Sequence, residues 1–270
     1  MQVLDRQSPV STVVELGGGK ARGLQALQSG GFAVPRWAAI GTDAFAASAD
    51  AVAPLLDALA SCTDTAAALP IATELRAGIL ALDLPESVRG IVAEAYVAAG
   101  GGAVAVRSSG LAEDGETLSH AGQFDSLLNV TTLADVERAV RECWASAFSD
   151  RAVRYRALHG EPTPTGIGVV VQELVAATIS GVVFTANPIT GNRDELAVSA
   201  VNGIGEGLVS GAVDADYVLV DKASGAILET VVGDKAEAVV TRADGGWLAR
   251  DTAERFGESV ALVAARLGDR

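Results

Sequence analysis

Residues 103–130 hold the rest of the chain to a narrow set of folds. An apolar run, Ala103-Val104-Ala105-Val106, delivers Arg107 to its end, a polar loop carrying Glu113 and Asp114 follows, and a second run leaves through Ala121-Gly122-Gln123 toward Val130. Two short apolar runs joined by small and polar residues are the pattern of a strand pair with a loop. The loop chemistry suits phosphate. Arginine offers a fixed fork of donors, small residues let backbone N–H groups approach, and hydroxyls fill the gaps. Taken alone, the stretch is either a nucleotide-phosphate loop or a plain hairpin with a surface loop.

Charge sharpens that choice. With 34 acidic against 20 basic residues, the 270-residue chain has a formal net charge of −14. Such a balance repels nucleic acid and anionic membranes unless a local basic patch overrides it, and no such patch is evident. A polyanionic ligand would need a few dedicated cations, which draws notice to Lys20 and Arg107. Lys20 follows an apolar segment at 12–16, expected as a strand, through Gly17-Gly18-Gly19. Glycines there reach backbone angles closed to other residues, so the lysine could swing over a ligand at the helix start. A glycine turn with a solvated lysine is the alternative. The Walker A pattern is absent, since alanine follows Lys20.

Further along, 32–40 is expected as a strand, 42–99 as three or four helices broken near Pro54, Pro70 and Pro85, and 124–130 as the returning strand. Thr131-Thr132 should cap a helix whose apolar face includes Val136, Val140, Trp144 and Phe148. A basic helix, 150–159, ends before Gly160, and Pro162-Thr163-Pro164 is the clearest linker. The predicted boundary therefore separates a first lobe, 1–160, from a second, 161–270. In the second, 167–171 is expected as a buried strand running into Gln172-Glu173-Leu174, with 180–185 as its paired strand. Two hairpins, 216–232 and 238–250, and an amphipathic tail helix over 252–267 complete the pattern. Cys62 and Cys143 lie far apart in helical segments and are expected as free thiols. The start lacks the order of a signal peptide, and no apolar run reaches the roughly 18 residues of a spanning helix, so a cytoplasmic protein without a membrane partner is expected.

Taken in order, Gly18-Gly19-Lys20 with Leu24, Gly31-Phe32-Ala33-Val34-Pro35, the Val106-Arg107-Ser108-Ser109 segment with Glu113-Asp114, Ala121-Gly122-Gln123, Val171-Gln172-Glu173-Leu174-Val175 and Ser180-Gly181-Val182-Val183-Phe184-Thr185 resemble the amino-terminal nucleotide-binding domain of the pyruvate phosphate dikinase and phosphoenolpyruvate synthase family, which includes rifampin phosphotransferases. The match runs through nearly the whole chain. It implies an α+β, two-lobed, ATP-grasp-like fold that binds ATP with Mg2+. Phosphoryl transfer from ATP, leaving AMP, would then pass through a histidine on a separate domain.

By the same resemblance, Lys20 and Arg107 neutralise phosphate charge and serve catalysis. Gly122, Gln123, Ser126 and Leu127 line the loop over the nucleotide, and Gln172, Glu173 and Leu174 lie near the base or ribose. Asn202-Gly203-Ile204-Gly205-Glu206 is similar to the family's glycine-rich segment around one carboxylate. His120 sits in Ser119-His120-Ala121, which also marks the phospho-accepting histidine of these enzymes, but Gly122-Gln123 directly after it matches the nucleotide loop instead. The family's magnesium ligands lie in segments beyond Arg270, and the phosphohistidine and acceptor-binding domains are absent. A fragment of a longer enzyme is therefore expected. The phosphoryl acceptor, pyruvate or rifamycin, would be chosen by domains outside this chain, and a nucleotide-binding module without turnover is the alternative.

Overall fold

The computed structural model describes residues 1–110, 126–160, 162–164, 166–234, 236–243 and 245–251. It separates into two units, Met1–Leu174 and Val175–Arg270.

The first unit opens with β1 (Val3–Leu4) and a helical segment, α1 (Val10–Thr12), which widens into a π-turn at Val13–Gly17 before α2 (Gly18–Ser29). The expected strand at 12–16 is thus helical. Val13 is fully buried, and it packs with Ala21 against one sheet face, a role that one side of a helix fills as well as a strand does. After β2 (Trp37–Ile40) come α3 (Thr42–Ala46), a short 3-10 turn, α4 (Ala53–Ser61), α5 (Thr65–Leu80) and α6 (Glu86–Ala98). Pro54 and Pro85 mark helix starts as predicted. Pro70 instead lies inside α5, where the buried stripe Ala68, Ala72, Leu75 and Ile79 outweighs one lost backbone bond. β3 (Val104–Ser109), β4 (Ser126–Val130), α7 (Leu133–Ser146), α8 (Asp150–His159) and β5 (Gly168–Glu173) finish the unit.

The five strands form one antiparallel sheet in the order β1-β2-β5-β3-β4. β5 is its centre, hydrogen-bonded to β2 on one side and β3 on the other, and its residues Val169, Val170 and Val171 are fully buried. This corrects two expectations. β5 belongs to the first unit, after the Pro162-Thr163-Pro164 linker, and it does not pair with the 180–185 strand. An all-valine run buried on both faces needs a neighbour on each side, and β2 and β3 supply them.

Alternation along the strands sends Ala38, Ile40, Val104, Val106, Val169 and Val171 to one face, where Phe45, Trp144 and Phe148 from the helices pack on them. Phe45 meets Trp144 edge-on at 5.4 Å between ring centroids. The opposite face carries Leu4, Trp37, Ala39 and Val170 and is covered by Val13 and Ala21. Cys143 is buried and Cys62 partly exposed, both as free thiols.

In the second unit, β6 (Ile179–Phe184), β7 (Glu195–Asn202), β8 (Asp216–Asp221) and β9 (Ile227–Val231) form an antiparallel sheet in chain order, with α9 (Glu206–Val209) between β7 and β8. β10 (Glu237–Thr241) and β11 (Trp247–Asp251) pair as a hairpin. Both predicted hairpins are present. The tail helix expected at 252–267 lies outside the described residues. No helix among them is long and apolar enough to cross a membrane.

Candidate nucleotide-phosphate site

The glycine turn and the arginine strand, which are 88 residues apart in sequence, meet in the first unit. Gly18 has φ +75° and lies so close to β3 that a Cβ there would sit 2.1 Å from the Ser109 carbonyl oxygen. Only glycine fits this approach. The amide of Gly19 donates to the Gly110 carbonyl at 2.9 Å, and the amides of Lys20 and Ala21 donate to Ser109 Oγ at 3.1 and 3.4 Å. The Lys20 ammonium donates to the Ser108 carbonyl at 2.8 Å, one residue from Arg107. A Cβ on Gly168 of β5 would lie 2.9 Å from the Gly17 carbonyl, so the turn is pressed against two strands.

The amides of Gly19, Lys20 and Ala21 are thus engaged by Ser109 and Gly110. Side-chain charge is the other resource for an anion on this edge. Arg107, partly buried, stands opposite Ser126 on β4 and Val170 on β5. Its face of the sheet is the one that carries Ala39, Trp37 and α2, and Gln172, paired with Trp37 and Ala105, lies on that face too. Lys20, Arg107, Ser126 and Gln172 therefore share one side of the sheet. Leu127 does not. It stands opposite Val106 and packs on the larger core among the helices, because the strand alternation turns it to the other face.

Glu173 is held elsewhere. Arg36 grips its carboxylate with a two-pronged contact, Nε to Oε2 at 3.0 Å and a terminal nitrogen to Oε1 at 2.9 Å, and the Glu173 amide donates to the Arg36 carbonyl at 2.8 Å. The hydrogen bond from Arg36 holds the Glu173 carboxyl below the usual carboxylate range. The Leu174 amide donates to the Ala103 carbonyl at 3.0 Å. The amides of Glu173 and Leu174 are thus both engaged within the first unit. Arg36 was not singled out from the sequence, where it follows Pro35 with no pattern to mark it. Neither was Ser109 as a cap, although its Arg-Ser-Ser setting was visible.

Gly122, Gln123 and His120 lie outside the described residues. Among the described residues, no group of three or more His, Cys, Asp or Glu is placed to hold a metal ion.

The sequence pattern described as pyruvate phosphate dikinase, AMP/ATP-binding domain, matches residues 14–264. The chain is 39% identical over 241 residues to a rifampicin phosphotransferase of a Streptomyces species, covering 87% of this chain and 28% of that protein. It is 42% identical over 179 residues to a rifampicin phosphotransferase of Bacillus cereus, covering 65% and 20%. Over 144 residues it is 43% identical to the phosphoenolpyruvate synthase of Pyrococcus furiosus, covering 53% and 18%. The chain spans under a third of the length of these curated relatives. The glycine turn seated on the arginine strand, together with a match running almost end to end, makes this chain a member of the pyruvate phosphate dikinase AMP/ATP-binding domain family.

Proposed function

We propose that the chain is the ATP-binding portion of a dikinase-type phosphotransferase, similar to phosphoenolpyruvate synthases, and that it holds the nucleotide triphosphate on the sheet face shared by Lys20 and Arg107. The observation that carries this reading is the seating of the Lys20 ammonium on the carbonyl next to Arg107, at 2.8 Å, in a molecule of net charge −14. Two cations on one edge are what a triphosphate requires, and Arg107 adds the fork geometry that matches phosphate oxygens. Ser126 and Gln172 share that face and are proposed as further contacts, with Gly122 and Gln123, which lie between β3 and β4 in sequence. Glu173 acts through its ion pair with Arg36 rather than on the nucleotide.

In this reading the fold is ATP-grasp-like, the protein works in the cytoplasm, and Mg2+ accompanies the phosphates. ATP is cleaved to AMP as its terminal phosphates pass to a histidine on a separate domain. Pyruvate and rifamycin are the acceptor classes suggested by the relatives' names.

Titration of the 270-residue chain with ATP tests the reading. Saturable binding is expected, and Lys20→Ala and Arg107→Ala should each weaken it by about tenfold or more, as for loss of a charged phosphate contact. Absence of ATP binding, or affinity untouched by both substitutions, overturns it. Adding a phosphohistidine domain from a relative separates catalysis from binding alone: AMP should appear only in its presence.

A further inference from the structure

Any α-helix begins with amides that have no partner within the helix, and a polar residue at the cap position commonly serves them. At α2 that position is Gly17, which has no side chain to offer. Gly18, next in line, cannot be replaced by a capping residue, because a Cβ would fall 2.1 Å from the Ser109 carbonyl. The close approach that brings Lys20 to β3 thus removes the helix's own means of capping itself. Ser109, fully buried, fills the gap from 89 residues away by accepting from the amides of Lys20 and Ala21.

We infer that Ser109 is a positioning residue for the phosphate site: its hydroxyl fixes where Lys20 leaves the helix start, and so sets the spacing between the Lys20 ammonium and the Arg107 guanidinium. The inference rests on the ATP reading above. It follows from the shared strand. Ser109 lies two residues beyond Arg107 and on the same face, so a single length of β3 carries one cation directly and orients the other through its hydroxyl. Gly110 and Ser108 add carbonyl acceptors for the Gly19 amide and the Lys20 ammonium, whereas Ser109 acts through its side chain, which makes it separable by mutation.

Ser109→Thr and Ser109→Val test this, since threonine and valine have nearly the same shape and differ in one hydroxyl. ATP affinity is measured by calorimetric titration in the wild-type and Lys20→Ala backgrounds, with thermal unfolding as a check on folding. Ser109→Thr should hold ATP within about threefold of wild type, and Ser109→Val should lose about tenfold, the scale of one well-placed hydrogen bond. In the Lys20→Ala background the difference between threonine and valine should shrink below about twofold, the signature of two residues acting through each other. A purely structural role for Ser109 would weaken ATP equally in both backgrounds, and that result overturns the inference, as does equal ATP affinity of the two variants. If wild type binds no ATP, the site reading falls and this inference with it. Wild-type binding with no threonine-valine difference removes the inference alone.

Discussion

Gly18 combines a left-handed backbone with a carbonyl 2.1 Å from where a Cβ would stand. Alanine there suffers twice, from φ and from contact, and no flexible side chain can yield because the obstacle is backbone. Gly18→Ala should destabilise the first unit by about 2–4 kcal/mol, read as a lower urea midpoint at unchanged slope. Glycine at position 23, on the same helix, has nothing within 4 Å of its Cβ position. Gly23→Ala should therefore stabilise by about 0.5–1 kcal/mol in the same measurement, from helix propensity alone. The sequence makes both glycines equally visible, and only the neighbouring strand tells them apart. The same holds for Glu173, whose motif gives no sign that Arg36 grips it.

At the level of single elements, α7 shows how much of a helix is legible beforehand. Thr132 is its N-cap, accepting from the Asp135 amide, and the stripe Val136, Val140 and Trp144 is buried as its spacing predicts. Thr132→Ala should cost about 1 kcal/mol in thermal or urea unfolding. Thr132 also donates to Asp135, which together with Arg138 holds that carboxyl below its ordinary range, as Ser224 does for Asp221 and Arg36 for Glu173. A carboxyl whose folded pKa is depressed stabilises the fold above its unfolded pKa and loses that contribution as pH falls through the folded value. Stability should therefore be flat from about pH 7 to 5 and decline below about pH 4, and Asp135→Asn should flatten part of that decline. β5 was harder to assign. Its valines announced a buried strand, but they carry no information about which strands flank it.

For the whole molecule, placing β5 at the centre of the first sheet predicts where the chain can be cut. A fragment ending at Leu174 keeps the strand that joins β2 to β3 and should fold, giving a cooperative melt and dispersed amide resonances. A fragment ending at Gly160 lacks it, exposes the apolar edges of β2 and β3, and should fail to melt cooperatively. The sequence by itself determined the family, the Thr132 cap of α7 and the two hairpins, because each is written in neighbouring residues whose turn chemistry and periodicity act over a few positions. The tertiary structure alone decided that the 12–16 segment is helical, that β5 lies between β2 and β3, that Leu127 faces the core, and that Ser109 caps a helix 89 residues away. Those outcomes depend on contacts between segments far apart in the chain, and local patterns of hydrophobicity are the same whichever distant partner a residue finally meets.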